Sequence, residues 1–308
     1  MELRQLRYFV GVAEAGSLLK ASARLHVAQP ALGQQVAALE AELGARLFDR
    51  SSRGMALTEA GRTFLDHAQV VLADVERARA AVRDLGAVPQ GDVVLGLTTT
   101  VALAATVPIV QACRERLPQV RLRVVEAYSG FLREWLQAGR LDMAILYGDS
   151  PDPALAKRAL LDEPLAWISQ PGHPPLPAKV RLTRAVGEPF VLPGREHGLR
   201  RIVDEACEAA GVSLDVVAEI ESLPNVKRAV ASGIGSTILP LAAVADEVAE
   251  GRLAASPFTE ASMLRRVVFA THVARPATTA SAAVHALVAE VIRQRVEAGA
   301  WPGRWLGR

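Results

Sequence analysis

Along the first third of the chain apolar residues recur at helical intervals; beyond it they gather into short runs separated by helical stretches. Leu3, Leu6, Val10 and Ala13 make one face of a first helix, which Gly16 ends. Ser17 can cap a second helix by accepting a backbone N–H, with Leu18, Ala21 and Leu25 turned inward. His26, Val27 and Ala28 make a turn. Gln29 then takes the cap and Pro30 the first helical position, where a missing N–H costs nothing. The third helix hides Leu32, Val36, Leu39 and Leu43. At about 100° per residue, Pro30, Gly33, Gln34 and Ala37 point the other way.

That outer face carries small groups and amides. Small groups let a helix seat deeply in a groove, a Gln amide can grip adenine with two bonds, and Pro30 can rest on a thymine methyl. After Gly44, two short strands are expected around the turn Ser51-Ser52-Arg53-Gly54. They form a wing bearing Arg50 and Arg53, with Arg53 placed to enter a minor groove. A long helix follows from Thr58. Phe64, Ala68, Val71, Val75, Ala78, Val82 and Leu85 alternate at spacings of four and three. This is a coiled-coil seam whose natural partner is a second copy of the chain, over a span of about 40 Å. Gly86, Pro89 and Gly91 mark a hinge.

The rest has a βαβ rhythm. Strands are expected at Val93–Leu97, Leu122–Glu126, Met143–Leu146, Leu165–Ser169, Phe190–Leu192, Val216–Glu221 and Arg266–Thr271. Helices lie between them, and a terminal one spans Ser281–Glu297. In such sheets ligands sit at the carboxyl ends of strands, where helix N-termini offer N–H groups to anions. Thr98, Thr99 and Thr100 follow the first of these strands and can bind a carboxylate or phosphate, or simply cap the next helix. Tyr128 and Ser129 stand in the equivalent place after the second, and Tyr147 ends the third.

Composition changes this picture little. The 308 residues carry a net charge of +2, so any basic surface is local; Arg4, Arg7, Lys20, Arg24 and the wing supply it. Cys113 and Cys207 stand far apart with no CxxC, which indicates neither zinc nor a disulfide framework. Arg and Glu residues in the first helix do not suit an export signal, and no apolar run has transmembrane length. A cytoplasmic location is expected.

The segments LRYFV at 6–10, AQPAL at 28–32, LE-x-ELG at 39–44, RLFDR at 46–50 and LTEAG at 57–61 resemble the DNA-binding domain of LysR-type transcriptional regulators. The resemblance implies that Gln29, Pro30 and Gln34 read the major groove, that Ser17 holds a phosphate and that Arg53 serves the wing; spacing adds Gly33 to the outer face of the helix and the turn adds Arg50 to the wing. Gly33 stands where the family usually has Ser, and Gln34 where a basic residue is common. The likeness extends to one subgroup, the nitrogen assimilation regulatory proteins, through LDMAILYGDSP at 141–151, EIES at 219–222 and ASGIGSTILP at 231–240. It thins over residues 152–215.

The expected architecture is α/β with an all-α, winged amino-terminal part. A winged helix-turn-helix occupies 1–58 and a dimerising coiled-coil linker helix 59–88. A two-lobed, periplasmic-binding-protein-like effector domain occupies 89–308. By resemblance, lobe 1 takes about 92–161 and 267–297, and lobe 2 about 162–266. Arg195, His197, Ser222 and Asn225 close the effector cleft from lobe 2. The implied partners are double-stranded DNA, further copies of the chain (a homodimer and a homotetramer built as a dimer of dimers), RNA polymerase and a small acidic effector. No cofactor, metal or membrane is implied.

Enzymatic signals fail. Gly233-Ile234-Gly235 lacks the third glycine of a dinucleotide loop, and GxSxG, HExxH and Walker patterns are missing from the sequence. His173, His197 and His272 have no carboxylate or Cys partner by spacing. The alternatives are a regulator of a catabolic pathway for an organic or aromatic acid, a cytoplasmic solute-binding protein, and an enzyme built on the α/β part.

Overall fold

The computed structural model describes residues 1–51, 54–83, 88–148, 150–173 and 175–307. Its amino-terminal head holds α1 (Leu3–Ala15), α2 (Leu18–Leu25), α3 (Gln29–Leu43) and a hairpin of β1 (Phe48–Ser51) and β2 (Gly54–Leu57). The buried stripe of α1 is Leu6, Phe9 and Val12; Leu3 is exposed, and Val10 and Ala13 lie at its margins. Leu32, Val36 and Leu39 of α3 are buried as expected, but Leu43 in its last turn is 39% exposed. The cap of α3 is Ala28, so Gln29 and Pro30 both lie inside the helix. Ser17 does cap α2 by position, but its hydroxyl makes no capping bond.

Two contacts fix the hairpin to the helices. Met55 N–H donates to the Gly16 carbonyl at 2.9 Å. Glu40 of α3 accepts from the N–H groups of Leu47 and Phe48 at 2.8 and 3.1 Å. Gly54 sits at φ +126°, and a Cβ there would lie 2.6 Å from the Gly16 carbonyl oxygen, so the wing approaches closely only without a side chain.

The linker helix α4 (Glu59–Arg83) starts where the Thr58 hydroxyl accepts from Gly61 N–H at 2.9 Å. Its seam is not one free face. Phe64 packs edge-on against Phe9 at 5.1 Å, and Ala68 is fully buried among the head's own side chains. Both were expected at a dimer seam. They are instead taken by the head, because a small three-helix domain needs a fourth wall for Phe9. Val75 is half-buried and Ala78 exposed, while Val71 and Val82 are 40% and 74% exposed. Leu85 lies outside the described residues.

Lobe 1 is a mixed sheet in the order β4-β3-β5 followed by two long strands. It comprises β3 (Gly91–Leu97), α5 (Thr99–Arg116), β4 (Val120–Glu126), α6 (Ser129–Gln137) and β5 (Met143–Tyr147). The parallel β3-β4 and β3-β5 pairs are the βαβ units that the rhythm predicts. The long strand β6 (Leu155–Ser169) then leaves the lobe. Lobe 2 follows with β7 (Pro189–Leu192), α7 (Gly198–Ala210), β8 (Asp215–Glu219), α8 (Leu223–Ala231), β9 (Thr237–Pro240), α9 (Ala245–Ala249) and β10 (Ala254–Pro257). Its core centres on Trp167, with Phe190 and Phe258 at 5.0 and 6.5 Å. The chain returns through β11 (Leu264–His272) to α10 (Thr279–Glu297) and the short β12 (Arg304–Trp305).

Only the last third of β6, Leu165–Ser169, is expected as strand. The preceding two thirds carry Lys157, Arg158, Asp162 and Glu163, and pairing with β11 on one side and β12 on part of the other overrides that polarity. Along β6 the partner changes at about Pro164: earlier residues pair with β11, later ones with β9 and β10. These strands carry the backbone between the lobes.

Candidate DNA-reading helix and interlobe cleft

On the head, Gln29, Pro30, Gln34 and Ala37 of α3 are exposed, and Gly33 is half-exposed, where an added Cβ would lie 3.8 Å from the Leu18 side chain. The face opposite the buried Leu32, Val36 and Leu39 is therefore neutral and open. Ser17 lies half-exposed at the start of α2, its hydroxyl available to a phosphate. The backbone of Arg50 pairs with Met55 across the hairpin; its side chain and the whole of Arg53 lie outside the described residues. The expected basic flank is partly spent. Arg4, Arg7 and Arg24 meet Glu2, Glu76 and Glu14 at 3.6, 3.0 and 2.9 Å. These pairs are exposed, so a phosphate can displace the carboxylates at little cost.

In the effector part, helix N-termini gather where the lobes meet. Thr98 caps α5, Tyr128 caps α6, His197 caps α7 and Ser222 caps α8. The lobes touch there: Tyr128 Oη donates to the Glu221 carbonyl at 3.2 Å, and its ring meets His197 edge-on at 5.5 Å. Burial holds the His197 imidazole below its ordinary range, opposed by Glu221 and reinforced by Arg265. His197 is thus neutral at neutral pH, and its Nδ1 accepts from Leu199 N–H at 3.1 Å. Arg195, Ser222 and Asn225 are exposed, and Ser129 is half-exposed.

The three threonines do not act together. Thr98 and Thr100 are buried, and only Thr99 is half-exposed. The Thr100 hydroxyl bonds Tyr147 Oη and accepts from Arg265 at 2.7 Å. Beneath them lie Arg265, Glu163 and Trp301, none of which spacing singled out, because they stand far apart in the chain and meet only through β6, β11 and the tail. The junction of linker helix and lobe 1 went unforeseen as well. Asp66 pairs with Arg140, and Asp74 bonds Arg275 at 3.1 Å, beside a cavity of about 300 Å³ lined by Arg77, Asp142, His272 and His285.

Known proteins match this geometry over nearly the full length. Residues 3–62 match the description "Bacterial regulatory helix-turn-helix protein, lysR family", and residues 86–293 match "LysR substrate binding domain". The chain belongs to the LysR family. Among curated LysR relatives, the nitrogen assimilation regulatory protein nac of Klebsiella aerogenes is 39% identical over 244 residues, 78% of either chain. The transcriptional regulator BbuR of Bordetella bronchiseptica is 30% identical, covering 97% of this chain and 92% of its own. A full-length OxyR variant from Pseudomonas aeruginosa superposes with a TM-score of 0.74 at 28% identity, covering 95% of each chain.

This LysR-type chain is a DNA-binding transcriptional regulator, of a family of regulators rather than enzymes. Among the described residues, no helix is long and apolar enough to cross a membrane. Nor do they hold a group of three His, Cys, Asp or Glu residues fit for a metal.

Proposed function

We propose that the α3 face bearing Gln29, Pro30 and Gln34 reads bases in the major groove, in a cytoplasmic regulator of nitrogen assimilation genes. The observation that carries the first part is the open amide face itself. It is neutral, so it adds choice of sequence rather than general affinity, which phosphate contacts supply. Ser17 and the wing arginines Arg50 and Arg53 hold the backbone. The biological role rests on the curated relatives named nitrogen assimilation regulatory protein, at 39% and 36% identity.

The head takes residues 1–58, the linker helix 59–88 and the effector domain 89–308. Val71, Val75, Ala78 and Val82 on α4 pair two copies, and a dimer of such dimers completes a tetramer that can meet RNA polymerase. The cleft rimmed by Thr99, Tyr128, Ser129, Arg195, His197, Ser222 and Asn225 takes a small effector. Genome-wide occupancy under nitrogen limitation and excess tests the role: enrichment at nitrogen assimilation promoters is expected. Sites confined to genes for breakdown of organic acids would replace that assignment while leaving the family intact.

A further inference from the structure

A closed polar cluster lies where the lobes join. Arg265 is 2% exposed and Glu163 1%. Arg265 Nε donates to Glu163 Oε1 at 2.7 Å, and its Nη2 donates to the Thr100 hydroxyl at 2.7 Å. The guanidinium carbon lies 3.7 Å from the centre of the Tyr147 ring. The second oxygen of Glu163 accepts from the indole N–H of Trp301 at 3.0 Å. Trp301 is fully buried and stands beyond residue 293, where the substrate-domain match ends. Its segment is tied down next to Glu163: Arg304 donates to Asp162 at 3.1 Å, and Leu306 N–H to the Leu160 carbonyl at 2.7 Å.

A buried guanidinium with a hydroxyl on one edge and a phenol beneath it is built to grip a carboxylate. Here the carboxylate is already present. A second one would set two negative charges against a single buried cation in a low dielectric, and that arrangement is strongly disfavoured. Near the mouth Glu221 acts in the same sense: its side chain accepts from Gly194 N–H at 2.8 Å and occupies that donor too.

We propose that the anion receptor of this cleft is loaded by the chain itself: Glu163, fixed by Trp301, is a tethered ligand of Arg265. The cleft therefore turns away small carboxylates and admits an uncharged, hydrogen-bonding effector at its mouth. Thr99, Tyr128 and the neutral His197 offer such a ligand uncharged donors and acceptors; the one rim cation, Arg195, is exposed, and its charge is screened by water. This rests on the reading of the cleft as the effector site, and it replaces the acid that the sequence suggested.

Chemical rescue tests it. Glu163→Ala in the full-length chain leaves Arg265 buried without its counter-ion and opens room for a small acid. Melting is followed in acetate, in acetamide and in chloride at equal ionic strength. Glu163→Ala should melt several degrees below the parent, recover part of that loss in acetate, and recover none in acetamide. The parent should show no preference for acetate over chloride. If Glu163→Ala does not fold, its refolding yield in acetate against chloride makes the same comparison, and a severalfold rise is expected. Equal acetate responses in parent and variant, or rescue by acetamide as good as by acetate, would overturn the proposal. A screen of neutral solutes for effects on DNA binding by the parent tests the effector reading separately. Its failure would remove the effector while leaving the acetate result standing.

Discussion

Glu40 joins α3 to the wing, and removing it should free the wing without unfolding α3. Its carboxylate accepts from Leu47 and Phe48 N–H at 2.8 and 3.1 Å, and both of those residues are buried. Glu40→Ala orphans two buried donors, each worth about 1–3 kcal/mol. Water can reach the vacated position, because Glu40 is itself half-exposed, so the sum lies in the lower range, about 2–4 kcal/mol. Glu40→Gln keeps an acceptor and loses only the charge, at a cost of about 1 kcal/mol.

Amide hydrogen exchange reads this directly. The Leu47 and Phe48 amides should exchange roughly 30- to 700-fold faster in Glu40→Ala, at 1.4 kcal/mol per factor of ten, and only about fivefold faster in Glu40→Gln. Exchange within the first turns of α3 should stay as it was. Binding to duplex DNA should weaken in the same order, because the wing contributes only when held beside α3. Unchanged exchange at Leu47 and Phe48, or equal effects of the two substitutions, would show that the Glu40 carboxylate does not hold the wing.

Three further outcomes follow from the same contacts. A Cβ at Gly61 would lie 2.0 Å from the Leu47 carbonyl oxygen, so Gly61→Ala should push α4 off the wing. Calorimetry should then record the head destabilised by about 1–3 kcal/mol or more, with the effector domain unaffected. Burial keeps His197 below the ordinary imidazole range, so the folded chain binds that proton less tightly than the unfolded one. Stability present at neutral pH should thus fall as pH drops through about 6.5, and the fall should shrink in His197→Gln when melting is compared at about pH 7.5 and 5.5. Finally, Asp66→Arg should loosen α4 from lobe 1 and the double reversal Asp66→Arg with Arg140→Asp should restore it, read by exchange along α4. The pair is exposed, so its effect on melting should stay under about 1 kcal/mol.

Local periodicity made the head legible: α1 to α4 and the hairpin stand where spacing and turn residues put them. Its errors are errors of context. Phe64 and Ala68 fit a heptad seam, yet a repeat of four and three cannot say whether the partner is another copy or the head's own Phe9. Ala28 rather than Gln29 caps α3, a one-residue shift that helix ends readily hide. The first two thirds of β6 do not read as strand because their charges lie on a strand paired with β11 and, at Leu161 and Asp162, with β12. In the cleft, the strand ends located Tyr128, Tyr147 and the threonines. Which hydroxyl faces solvent depends on Arg265 and Trp301, each brought to Glu163 from more than a hundred residues away. No local pattern carries such a contact.

Selection of DNA sequence by the exposed face of α3 stands or falls on Gln34→Ala. Affinity of the full-length protein is measured, at one fixed salt concentration, for a site recovered from its genome and for random duplex. The expected result is a loss of about 1–3 kcal/mol on the recovered site, relaxed preference at one base pair, and little change on random DNA. An equal loss on both duplexes, or none on either, would contradict it.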